Sequence, residues 1–166
     1  MHRVSLLLFV LLLTVVTSCI VATTGQLPDP VATHFGHRNL PNGWMSHDGY
    51  VTFMLAFATL LPIVIVGIVG GLPHVAPRSL NIPNREYWLA PPRRATTLAS
   101  LVSFACLLGG QLAAFVAGVH FMIIEAAASV PPRLPATLFW LLLSGFVASL
   151  ALWIGAFWLR FRALPR

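Results

Sequence analysis

Four side chains between the first two hydrophobic blocks are of the types that hold a transition metal: His34, His37, His47 and Asp48. Two imidazoles three residues apart, a third further along and a carboxylate would offer nitrogen and oxygen donors to zinc or copper. Their spacing matches no established ligand pattern, and histidines on a polar loop are usually solvated or bonded to backbone. The reading is therefore no metal, with acid sensing as the other use of such a cluster. A second set, Gln111, His120 and Glu125, falls in the third hydrophobic block. Ionisable groups at membrane depth are costly and mark proton or ion paths. His120 and Glu125 lie toward one end of that block, where interfacial water would solvate them. Gln111, near its middle, is expected to bond across to a neighbouring helix. The chain has no glycine-rich phosphate loop, no nucleophile with a recognisable base and no pair of carboxylates placed for acid–base work. No enzyme activity and no cofactor are expected.

The elements that carry these residues follow from composition. Of 166 residues 58% are hydrophobic and 8% charged, and the mean hydropathy is +0.86. A soluble core could not absorb that much apolar surface, so lipid must be the solvent for most of the chain. The blocks at 4–22, 51–72, 95–124 and 136–159 are each long enough to cross a bilayer as a helix. The expectation is an all-α integral membrane bundle of four transmembrane helices forming a single domain, 1–166. An irregular outer loop, 23–50, and an inner loop, 73–94, join the first three spans. Within the bundle Pro62 should bend the second span. Gly67 and Gly71, and the row Cys106, Gly110, Ala114 and Gly118, have the spacing of close-packing seams. Trp140 and Trp158 suit the two interfaces at the ends of the last span. Its small residues Ser144, Gly145, Ala148, Ser149 and Gly155 offer further close-packing surface and leave room for a homo-oligomer.

Orientation comes from charge. The net charge of +6 derives entirely from ten arginines. With the amino terminus cytoplasmic, the inner segments hold Arg3, Arg78, Arg85, Arg93, Arg94, Arg160, Arg162 and Arg166, and the outer ones only Arg38 and Arg133. The positive-inside rule then puts both termini and the 73–94 loop in the cytoplasm and the first loop outside. Arginines at the ends of apolar blocks read as topology determinants, not as a nucleic-acid footprint. Cys19 and Cys106 lie within apolar blocks, so neither a structural disulfide nor a zinc site is expected. Val16-Thr17-Ser18-Cys19 resembles a lipobox, while Ile20, Val21 and Ala22 continue the apolar run. A retained first helix is the main reading and a lipidated Cys19 the alternative.

Two stretches resemble a known family. Leu27-Pro28-Asp29-Pro30, with His34-Phe35-Gly36 and Pro41-Asn42-Gly43-Trp44, is similar to the outer motif of small bacterial membrane proteins grouped as domain of unknown function 1648, with LP, HF and P-[DN]-G-W in that order. Asn81-Ile82-Pro83-Asn84, Tyr87-Trp88-Leu89-Ala90-Pro91 and Arg93-Arg94 resemble the inner NIPN-x-x-YWLAP-x-RR loop of one branch. Asn39-Leu40 stands where a glycine is more usual, and Pro92 where that branch more often has glutamate. The same domain occurs in the sporulation-delaying-protein immunity family, whose members protect a cell from a secreted peptide toxin. The resemblance implies a multi-pass protein of the bacterial inner membrane with an interaction, sensing or immunity-like role.

The residues themselves point the same way. Pro28 and Pro30 restrict the chain to extended conformations, and Asn42-Gly43 is expected to supply a tight turn. Trp44 beside it would either lie on the interface or anchor a partner. That partner would be an extracytoplasmic peptide or an envelope protein. On the inner side Arg85, Arg93 and Arg94, with Glu86, Tyr87 and Trp88, suit anionic lipid headgroups or a cytoplasmic partner. The alternative class is a small transporter, or a transporter subunit, using Gln111, His120 and Glu125.

Overall fold

A computed structural model describes residues 2–162 of the chain. Four long helices dominate it: α1 (His2–Thr23), α2 (His47–Val66), α5 (Pro91–Ala127) and α6 (Ala136–Arg162). Each belongs to a helix long and apolar enough to cross a membrane. Between α1 and α2 lie two strands, β1 (Val31–Phe35) and β2 (Pro41–Met45), and between α2 and α5 two short helices, α3 (Leu72–Val75) and α4 (Arg85–Leu89).

Helices α2 and α5 start ahead of their hydrophobic blocks because a cap and a proline, not hydropathy, set those ends. Helix α2 begins at His47, as the Ser46 hydroxyl accepts from Gly49 N at 3.2 Å and satisfies a first-turn donor. Helix α5 begins at Pro91, where a missing N–H costs nothing. Pro62 lies within α2, and a π turn at Gly67–Gly71 follows one turn later. The π turn and α3 then carry the helical path on to Val75.

Helix α5 is the centre of the bundle, with α1, α2 and α6 all packed on it. Its tightest point is Gly109, where a Cβ would stand 2.9 Å from both Phe9 of α1 and Val66 of α2 and 3.2 Å from the Pro62 carbonyl. Only glycine lets three helices meet there. The expected seam splits instead of forming one interface. Cys106 and Gly110 face α1, Gly118 faces Leu142 of α6, and Ala114 is exposed. A Cβ at Gly67 or Gly71 would meet nothing within 4 Å among the described residues. Gly70 between them makes the contact, against Ala105 and Val102. The π turn explains this, because it rotates the face that four-residue spacing would have presented.

Helix α6 is held to α5 by an aromatic column of Phe104, Trp153, Phe157 and Phe161, and by the Trp153 indole donating to Phe104 O at 2.8 Å. Its other face, including Leu141, Val147, Leu152 and Ile154, is exposed along its length, as are Trp140 and Trp158. Helices α1 and α5 run parallel, with Ser5 donating to Ser103 near one end and Thr23 meeting His120 near the other. The 17 residues from Ser103 to His120 span about 26 Å at ~1.5 Å per residue. That is close to the ~30 Å of a bilayer's hydrocarbon.

The 23–50 segment is not irregular. β1 and β2 form an antiparallel hairpin, and Asn42 and Gly43 lie in β2, not in a turn. The reversal falls at residues 36–40, closed by Gly36 N donating to Leu40 O at 2.8 Å. Arg38 and Asn39 there have φ of 62° and 60°. Asparagine, as at Asn39, tolerates the left-handed region better than most residues. An Asn-Gly pair signals a two-residue hairpin turn only when free strand lies on both sides. Here the five-residue reversal leaves Gly43 opposite His34, where a Cβ would come within 3.1 Å of the histidine's own.

Candidate functional site

The polar residues singled out from the sequence gather in three places: the hairpin end, the arginine-rich end, and a buried junction among the helices.

The hairpin is tied at base and tip. Asp29 Oδ1 accepts from His47 N at 3.1 Å, so a carboxylate eighteen residues upstream caps the first turn of α2. The His47 ring donates through Nε2 to Thr24 O at 3.1 Å, joining the end of α1 to the start of α2. At the tip, Leu134 N, just before α6, donates to Asn39 O at 3.0 Å. Trp44 on β2 is 54% exposed, while Val31 and Ala32 on β1 are buried against the helices. Beneath the hairpin a cavity of about 400 Å³ is lined by His34, Phe35, Met122, Phe139 and Trp140 among others.

The metal-type residues do not converge. His34 bonds the Thr33 hydroxyl at 3.1 Å and packs on Gly43, while His47 serves the helix junction and pairs at 3.5 Å with exposed Asp48. No three histidine, cysteine, aspartate or glutamate side chains come together to hold a metal among the described residues.

At the opposite end the inner motif locks onto the last turn of α6. The Trp88 indole donates to Phe161 O at 2.8 Å, and the Asn84 amide to Arg162 O at 3.1 Å. Carbonyls in a helix's last turn have no partner along the helix, so these side chains supply one. Asn84 itself has φ 55°, and Pro83 precedes it. The Trp88 carbonyl accepts from the Thr97 hydroxyl at 2.8 Å. Arg93 stacks 3.9 Å from the centre of the Tyr87 ring and Arg160 4.5 Å from that of Trp88. Asn81 and Pro91 are exposed, as is Arg94. Arg166 lies outside the described residues.

The third place corrects an expectation. His120 is not solvated at an interface; its exposure is 0%, and it joins three helices. Nδ1 lies 2.9 Å from Tyr50 Oη and Nε2 2.9 Å from Thr23 Oγ1. The Thr23 hydroxyl gives its proton to Cys19 O at 2.6 Å, so it accepts from Nε2–H, which leaves Nδ1 to accept from the Tyr50 hydroxyl. Every polar atom of a neutral imidazole is thus satisfied. The burial arises because the 23–50 segment folds back as a hairpin and carries the start of α2 over this end of α5. Thr23 and Tyr50 were not legible as site residues. Each sits at the edge of a hydrophobic block, and no local signal shows that the two edges meet.

Gln111 behaves as a helix-to-helix link, its Nε2 donating to Ser149 O at 3.3 Å, while its buried Oε1 has no hydrogen-bond partner among the described residues. Nine residues separate it from His120, which at ~100° per residue puts the two on opposite sides of α5. Glu125 is exposed. The three residues therefore do not line a common path. No family model, curated protein or solved structure matches the chain.

Proposed function

We propose that the protein is a multi-pass protein of the bacterial inner membrane that presents its hairpin outside the cytoplasm to dock an extended peptide segment, either a secreted peptide or part of an envelope protein. The observation that carries this reading is the exposed Trp44 on a hairpin fastened at both base and tip. A large rigid aromatic on a fixed support binds a partner at little entropic cost. The two-stranded sheet also has unpaired edges of the kind that accept an added strand. Orientation is supported by the charge distribution. The end carrying Trp88 also gathers Arg78, Arg85, Arg93, Arg94, Arg160 and Arg162, while Arg38 lies at the hairpin and Arg133 just before α6. Retention of the first helix is supported by Phe9, Leu13, Val16 and Ile20, which α1 contributes to the core. The resemblance of the two loops to the domain-1648 family is consistent with an immunity-like form of the role.

The test is photo-crosslinking in living cells from a photoreactive residue at position 44. A discrete adduct mapping to an extended segment, and lost when Gly43→Val disturbs the hairpin, is the expected result. Absence of any adduct above background would make the hairpin a lid over the bundle and overturn the reading.

A further inference from the structure

Helices α1 and α6 both pack on α5, and between them runs an open groove along α5. Its lower part, about 630 Å³, is lined by Thr96, Ala99, Ser100, Phe104 and Arg160 among others. Its upper part, about 410 Å³, is lined by Leu8, Leu12, Gly110 and Gln111 among others. Ser103 and Leu107 border both, so the two are continuous. Both parts are mainly apolar; the Thr96 and Ser100 hydroxyls and the Arg160 guanidinium lie at the arginine-rich end, and Leu8, Leu12 and Gly110 lead further in to Gln111.

We propose that this groove binds one anionic phospholipid, its phosphate at Arg160 and an acyl chain running along Leu107 toward Gln111. The proposal rests on the membrane reading above. Charge decides the occupant. Arg160 borders the groove and stacks on Trp88 and Phe161, and among the described residues its side chain forms no ion pair and no hydrogen bond, which leaves its N–H donors available to an anion. The described residues of this end hold Arg3, Arg78, Arg85, Arg93, Arg94, Arg160 and Arg162 against one carboxylate, Glu86. A second copy approaching in the same orientation would bring the same positive field, whereas an anionic headgroup neutralises it. The level fits too. Arg160 lies beside Thr96 and Ala99, a turn below the Ser5–Ser103 contact from which ~26 Å of α5 runs on to His120. A phosphate there sits at the headgroup layer while the chain enters hydrocarbon.

The test is native mass spectrometry of the detergent-purified full-length protein titrated with phosphatidylglycerol and with phosphatidylcholine of the same chains. Wild type should retain the anionic lipid with about fivefold preference, the scale of one arginine at a charged headgroup. Arg160→Gln should bring the two lipids to parity. Ala99→Phe, whose ring fills the groove and leaves the guanidinium in place, should lower retention of both. Equal retention by wild type, an unchanged preference in Arg160→Gln, or a dimer abolished by Ala99→Phe in place of lipid adducts would each overturn the site. Alkaline extraction of the same membranes separates the two readings. Release of the protein overturns the membrane reading and the site together, whereas retention without lipid preference overturns the site alone.

Discussion

Tyr50 Oη and His120 Nδ1 lie 2.9 Å apart across seventy residues of sequence, in a region from which water is excluded. The pair joins the first turn of α2 to the central helix, and through Thr23 to the end of α1. The base of the hairpin therefore stands on a single hydrogen-bonded unit.

Tyr50→Phe should leave the buried Nδ1 without a donor and cost ~1–2 kcal/mol, toward the upper end of the range for bonds between membrane helices. Tyr50→Phe with His120→Leu removes both partners and should cost less than the two single changes added together. Unfolding in mixed micelles measures both, and strict additivity would show that the hydrogen bond contributes nothing.

Asp29→Ala should expose the first turn of α2 to exchange without unfolding the bundle. The lost cap is worth ~0.5–1 kcal/mol. Hydrogen exchange at the amides of residues 47–49 should quicken while those of residues 105–116 stay protected. Unchanged rates at 47–49 would mean that the contact is too exposed to matter.

The glycines should divide sharply. Gly109→Ala places a methyl 2.9 Å from Phe9 and Val66 and should destabilise by ~1–3 kcal/mol through overpacking. Gly145→Ala and Gly155→Ala, with nothing within 4 Å, should be neutral or stabilise α6 slightly. Thermal denaturation of the three variants in one detergent is sufficient, and equal losses at all three would contradict the packing described.

Trp88→Phe keeps a ring against Phe161 but removes the donor to its carbonyl. The last turn of α6 should fray at a cost of ~1–2 kcal/mol. Protease sensitivity after Arg160 should rise, and Asn84→Ala should raise it further. A Trp88→Phe protein that resists cleavage as wild type does would show that packing alone holds the helix end.

How much of this was legible in the sequence depended on the range of the interaction. The four helices were legible because hydropathy over about twenty residues is a local property, and each run is long and apolar enough to cross a membrane as a helix. The Gln111 link was legible because an amide in the middle of a long apolar helix needs a partner from another helix. The hairpin was not. β1 and β2 are five residues each, Pro41 and Gly43 weaken the strand signal, and the Asn42-Gly43 pair points to the wrong reversal. The Gly67 and Gly71 spacing misled for a similar reason, since one π turn rotates the face that four-residue spacing implies.

By itself, then, the sequence determined the number of long apolar helices and which end of them carries the arginines, because these depend only on composition along short windows. The tertiary structure alone decided that His120 is buried between Thr23 and Tyr50, that Asp29 caps a helix eighteen residues away, and that Trp88 and Asn84 close the end of α6. Each of these joins residues distant in sequence. Which donor reaches which acceptor is settled only when the helices pack, because a buried polar group takes whatever partner the packing brings within about 3 Å.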